Sequence, residues 1–196
     1  MLRLIIVRPG STDFDEQGRI KGTLDVPLSE SGTRQVQRTA DELHAEQIDA
    51  IYSGPGRAAV QTAGELAVHA DVKVKVVEAL HNLDLGLWSG RLIEDLRLHQ
   101  PRVYRQWQEH PETVCPPGGE TLEAARARLR KAVGKIVRKH RSGTVALVLM
   151  EPAASLVRSW LLATDVGDLW KAECCCGKWD SIELEPKGVT VGWSWS

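Results

Sequence analysis

The sequence has no apolar run near the roughly 18 residues that a membrane-spanning helix requires. The segment after Met1 is too short, and lacks the small-residue cleavage pattern, to read as a secretory signal. An excess of one charge is also missing, since 25 Lys and Arg stand against 26 Asp and Glu for a formal net charge of -1. That balance gives no bulk attraction to nucleic acid or to an anionic membrane, so neither is expected as a partner and any basic site has to be local. The expected location is the cytoplasm. The four cysteines, Cys115 and the run Cys174, Cys175 and Cys176, have neither CxxC spacing nor a paired framework. In an extended segment Cys174 and Cys176 share a face and Cys175 points away, so the three thiols do not converge on one tetrahedral ion. No metal or other cofactor is expected, and the thiols read as reduced and half-buried.

What is present suits an ordinary globular domain. A chain of 196 residues can bury roughly 70% of its unfolded surface, and residues 1–196 are expected to form a single domain. Phe and Tyr are scarce, but there are seven Trp. Trp193 and Trp195 alternate with Ser194 and Ser196, which suits one packed strand face or a dimer patch, so a homodimer is admitted.

The segment 2–12, Leu-Arg-Leu-Ile-Ile-Val-Arg-Pro-Gly-Ser-Thr, reads as a buried strand that delivers Arg8 to its carboxyl edge, where open α/β sheets place ligand sites. Residues 11–27 hold too many Gly, Asp and Pro for a helix. A helix capped by Ser29 or Ser31 runs to about Gln47, and a strand spans 48–52. Arg57 heads a helix over 58–68, where backbone N–H groups would face an anion. A strand at 72–77, short helices at 93–99 and 102–108, and a long helix at 120–140 follow. Five apolar residues at 145–149 suit a strand covered on both sides, and Glu151-Pro152 leads into a helix over 153–163. A hairpin of 181–185 with 189–193 closes the chain. The alternation indicates α/β, a three-layer α/β/α sandwich with a mostly parallel sheet, its strand edges carrying Arg8, Arg57 and Glu151 to one side.

Ordered short motifs then accumulate: Arg8-x-Gly10-x-Thr12; Gly18-Arg19-Ile20-x-Gly22 with Asp25, Pro27, Leu28 and Gly32; Tyr52-Ser53 to Arg57 with Gln61-Thr62-Ala63. Gly86-x-Trp88-x-Gly90, Pro116-Pro117-Gly118-Gly119-Glu120 and a strand followed by a helix bearing Arg158 continue the series. To about residue 165 the chain resembles the histidine phosphatase superfamily, the phosphoglycerate-mutase-like proteins. The resemblance implies their fold and a phosphoryl-transfer cleft, in which a histidine after the first arginine is the nucleophile. A second histidine and two arginines there hold the phosphoryl group, and a Glu or Asp protonates the leaving oxygen. Arginine suits charge spread over equatorial oxygens, and imidazole is a neutral nucleophile near pH 7.

At those positions this sequence differs. Pro9 stands where the nucleophile would be, and its ring offers neither lone pair nor backbone N–H. Asn82 stands where the acid would be, and an amide gives up no proton at useful pH. Near the second histidine's position the sequence reads Leu149-Met150-Glu151-Pro152-Ala153, so that Glu151 or Ala153 replaces it, depending on register. Asp15 takes a position that the resemblance makes a phosphate contact. The catalytic set is therefore degenerate at Pro9, Asn82 and Glu151, with Arg8, Gly10, Ser11, Asp15 and Arg57 left as the ligand-binding set. If Asp15 and Glu151 face the cleft, they neutralise Arg8 and Arg57 and repel phosphate. One like-charge contact at 4 Å costs on the order of 4 kcal/mol at an effective dielectric near 20.

The other cations and histidines are assigned to the surface. The helix bearing Arg126, Arg128, Arg130, Lys131, Lys135, Arg138 and Lys139 spreads charge around several faces and reads as solvated. Among the six histidines only His81 sits beside the acid position. Two functions follow. One is a catalytically inactive member of the fold, a pseudoenzyme that binds a small anion or a protein partner or acts in regulation. The other is a phosphatase or phosphomutase of altered mechanism, acting on a small phosphorylated metabolite with Glu151 or Asp15 as base.

Overall fold

The computed structural model describes residues 1–173 and 175–184. Its centre is β1 (Leu2–Val7), a six-residue strand with four of its apolar side chains fully shielded from solvent. Such a run is stable only when both sheet faces are covered, and both are. Leu2, Leu4 and Ile6 join one core, while Ile5 and Val7 join a second on the opposite face. Alternation along one strand thus sorts the molecule into three layers.

The sheet adds β2 (Ala50–Ser53), β3 (Val74–Val76), β4 (Gly143–Val148) and β5 (Trp179–Leu184), in the order β3-β2-β4-β1-β5. All neighbours are parallel except β5, which runs antiparallel to β1 with Asp180 opposite Ile6 and Trp179 opposite Val7. The first half of the expected hairpin is therefore this edge strand; its second half, and Trp193 and Trp195, lie outside the described residues, as does Cys174.

Helices α2 (Glu30–Leu43) and α3 (Arg57–Ala70) cover one face. The other is covered by α6 (Leu122–Lys139) and α7 (Ala153–Leu162). Two short helices, α4 (Ile93–His99) and α5 (Pro101–Glu109), extend that second layer. Trp88 and Trp107 meet edge to face at 5.4 Å, and the Trp170 indole donates to the Tyr104 carbonyl. These aromatic rings fill a large volume with few side chains.

Residues 11–27, expected to hold no helix, contain one of four residues, α1 (Asp13–Glu16). It forms because Thr12 and Asp15 satisfy each other's backbone N–H groups in a capping box, a device that outweighs the breakers around it. A second departure is α8 (Leu169–Ala172), capped by Asp168. No helix among the described residues is long and apolar enough to cross a membrane.

Close backbone contact fixes the exit from β1. A Cβ added at Gly10 would come within 2.3 Å of the Gly32 carbonyl oxygen, and one at Gly32 within 1.9 Å of the Ser11 oxygen. Only glycine allows the start of α2 to press against the chain leaving β1 this closely.

Candidate functional site

At the carboxyl ends of β1 and β4 the sheet delivers Arg8 and Glu151, both buried. The Arg8 Nε donates to Glu151 Oε1 at 2.7 Å, and its Nη1 donates to Asp180 Oδ2 at 2.6 Å. The second Glu151 oxygen accepts the Ser155 N–H at 3.0 Å, in the first turn of α7, where a carboxylate is favoured. Burial opposes the Arg8 charge, but Glu151 and Asp180 outweigh it and raise the guanidinium pKa above its ordinary value. Arg158 adds a second, looser cation 3.6 Å from Asp180.

A second charged cluster adjoins the first. Asp15 Oδ2 accepts the Thr12 N–H and hydroxyl, each at 2.7 Å, while Oδ1 takes the ammonium of Lys21. Lys21 is itself buried, and Glu173 Oε2 lies 3.4 Å from its Nζ. That is an ion-pair distance without a hydrogen bond, and the oxygen is shielded from solvent with no hydrogen-bond partner among the described residues. Lys21 thus leans to Asp15, which leaves Glu173 undercompensated. Burial pushes the Glu173 carboxyl up to about 7 against the pull of Lys21, with Asp15 and Glu151 adding to the rise. Burial likewise pushes the Cys176 thiol up to about 12.

Between the clusters is a cavity of about 20 Å³, lined by Arg8, Pro9, Gly10, Thr12, Asp15 and Lys21 with Glu151, Glu173, Cys175 and Cys176. It has room for about one water molecule. None of the six histidines of the chain lines it. Cys175 and Cys176 arrive because the chain entering β5 continues the ladder past the end of β1. Arg8 N–H donates to the Lys178 carbonyl at 2.9 Å, and Gly177 N–H to that of Pro9 at 2.8 Å.

The sequence-derived set is only partly assembled here. Arg8, Pro9, Gly10, Asp15 and Glu151 converge. Ser11 lies beside them, but its N–H and hydroxyl both turn to Gln35 at 2.9 Å. Asn82 faces structure instead of the cavity. Its amide donates to the carbonyls of Gly22 at 2.9 Å and Glu151 at 2.6 Å, and its oxygen accepts the Ala153 N–H at 3.2 Å. Of the two residues offered for the second histidine's position, Glu151 supplies the side chain and Ala153 only a backbone group.

Arg57 requires correction. It is exposed, it does not line the cavity, and its backbone N–H donates to Asp25 Oδ1 at 2.8 Å instead of facing an anion site. Of the two carboxylates expected to neutralise Arg8 and Arg57, Glu151 holds Arg8 and Asp15 is held by Lys21. Three members of the cluster were not singled out from the sequence. Lys21 is the unassigned position inside Gly18-Arg19-Ile20-x-Gly22, Glu173 follows α8, and Asp180 arrives on β5. Only the alternation of β5, which puts Asp180 and Ile182 on one face, hints at any of them.

Known proteins agree with this architecture. The model of the histidine phosphatase superfamily (branch 1) matches residues 4–195. Phosphoserine phosphatase 1 of Hydrogenobacter thermophilus is 31% identical over 187 residues, covering 95% of this chain and 89% of that protein. Glucosyl-3-phosphoglycerate phosphatase of Mycobacterium tuberculosis is 33% identical over 135 residues, 69% of this chain and 60% of that one. A solved complex of the mycobacterial glucosyl-3-phosphoglycerate phosphatase with VO3 superposes with a TM-score of 0.82 at 26% identity, covering 92% and 90% of the two chains. With a sheet edge built around Arg8 and a match along almost its whole length, the chain belongs to the histidine phosphatase superfamily, branch 1.

Proposed function

We propose that this chain, taken as one histidine-phosphatase-like domain, is a pseudoenzyme: it does not turn over phosphomonoesters, and its former phosphate cleft serves binding or regulation. The observation that carries this reading is the double clamp on Arg8 by Glu151 and Asp180. A guanidinium already held by two carboxylates offers a phosphoryl group little charge, and the carboxylates repel it. Pro9 follows Arg8 with no nitrogen lone pair to attack phosphorus. Loss of the nucleophile, the acid and the oxyanion contacts together removes each part that phosphoryl transfer uses.

A phosphomonoester panel tests the proposal, with Arg8→Ala as control. The expected result is no turnover that depends on Arg8; robust turnover abolished by the substitution overturns the proposal. In parallel, inorganic phosphate and vanadate are expected to leave the melting temperature unchanged, because a ligand that binds only the native state must raise it.

One observation favours the second reading, a phosphatase or phosphomutase of altered mechanism. Asp15 and Glu151 are both engaged, but Glu173 has an oxygen with no hydrogen-bond partner among the described residues and a carboxyl pushed up to about 7, the range useful for moving protons. Under that reading the panel reveals turnover that falls in Glu173→Gln.

A further inference from the structure

Away from the cleft, α6 and the β2–β3 edge enclose a groove of about 660 Å³. Its floor is apolar, made by Tyr52, Val77, Ala79, Ala132 and Ile136. Lys131, Lys135 and Lys139 form one rim, a single lysine per helical turn, exposed to solvent. Lys75, on β3, sits 5.3 Å from the centre of the Tyr52 ring, part of that floor. None of these four lysines forms an ion pair among the described residues. The cations therefore raise the local potential without a paired carboxylate among the described residues. His140, whose Nε2 meets the Tyr52 hydroxyl at 2.9 Å, registers that potential. Its pKa is lowered by burial and then by Lys75 and Lys139, which together outweigh the opposing pull of Asp49.

The wall of the groove is fixed in place. Arg128 uses its donors on Glu120 and on the carbonyls of Ala79 and His81, tying the loop after β3 to α6. A groove already held open loses less to ordering when it is filled.

We propose that this groove docks an acidic amphipathic helix of a partner protein, with apolar side chains on the floor and carboxylates along the lysine rim. Lys131 to Lys139 spans about 12 Å at 1.5 Å per residue, matching carboxylates on three successive turns of a helix laid alongside. A strand is a poorer occupant, since β3 offers an edge of only three residues. A second copy of the chain docked face to face would oppose lysines with lysines. A duplex would leave the apolar floor against its phosphates, and a bilayer surface cannot enter a concave groove behind a lysine rim.

The test uses the full chain and a fluorescein-labelled amphipathic peptide with Glu at every fourth position beside a Leu face. Fluorescence anisotropy is expected to show binding that weakens with salt. Affinity should fall at least about tenfold for the triple variant Lys131→Glu, Lys135→Glu, Lys139→Glu, and equally for a peptide with Gln in place of Glu. Circular dichroism melting checks that the triple variant is folded, which its exposed positions lead us to expect. Equal binding by the folded triple variant or by the Gln peptide overturns the proposal, as does no binding of the Glu peptide. So does tighter binding of a labelled DNA duplex or of phosphatidylserine vesicles than of the peptide.

Discussion

The cleft and the α6 groove hold the same kind of charge in opposite states. In the cleft, Arg8 and Lys21 are buried and answered from within by Glu151, Asp180, Asp15 and Glu173. In the groove, the rim lysines stand in water and form no ion pair among the described residues. A count of cations would rank the two alike, yet what matters for a ligand is the charge left over after internal pairing. Buried charge that is already paired contributes to one fixed arrangement, and exposed unpaired charge is available to a partner.

The contrast can be broken most directly at Arg8. Arg8→Met leaves Glu151 buried without its cation and is expected to cost about 3–5 kcal/mol in urea unfolding. Arg8→Met with Glu151→Leu should recover much of that loss, because both charges leave together. If Arg8→Met costs no more than a surface change, the cleft is not a closed network. Asn82→Ala comes next. It abandons two carbonyls and one N–H around Glu151, and a loss of about 1–3 kcal/mol is expected.

Glu173→Gln sharpens the comparison through pH. The folded-state pKa of Glu173, about 7, lies above its ordinary 4.5, so between those values the native state holds a proton that the unfolded chain releases. Its contribution to stability is therefore present at low pH and is lost as pH rises through about 7. Relative to wild type, Glu173→Gln should gain roughly 1–3 kcal/mol between pH 5 and pH 8, measured by urea unfolding at both. Parallel pH profiles for the two proteins would assign the proton elsewhere. The smallest effect belongs to the groove: Lys135→Ala should change stability by no more than about 0.5 kcal/mol, and a larger loss would mean that the lysine has an internal partner.

The elements that sequence pattern resolved are those whose pattern is imposed by burial. β1 and β4 read as strands because covered strands are continuously apolar, and α6 because Leu122, Ala125, Leu129, Ala132, Val133 and Ile136 fall on one buried face. Helix α1 escaped because its stability comes from Thr12 and Asp15 bonding to each other's backbone, not from a periodic face. The Arg8–Glu151 pairing was legible, since each residue ends a strand of the same parallel sheet. Arg57 was misplaced because a position at a helix head does not set the direction of its side chain. Lys21, Glu173 and Asp180 were hidden by sequence distance: only the tertiary path past α8 and back along β5 brings residue 173 to residue 21 and residue 180 to residue 8.

The sheet order has a further consequence, for the order of synthesis. Of the elements described, β1 is made before the rest, yet its two neighbours are β4 and β5, with Leu2 opposite Gly143 on one side and Leu184 on the other. At roughly 5–20 residues per second, the strand waits about 7–28 s on the ribosome before its first edge can pair. During that interval an apolar segment with two open edges has no native partner. The nascent chain is thus most vulnerable to aggregation at the strand that ends as the most protected, and folding of the intact chain is expected to be limited by long-range pairing.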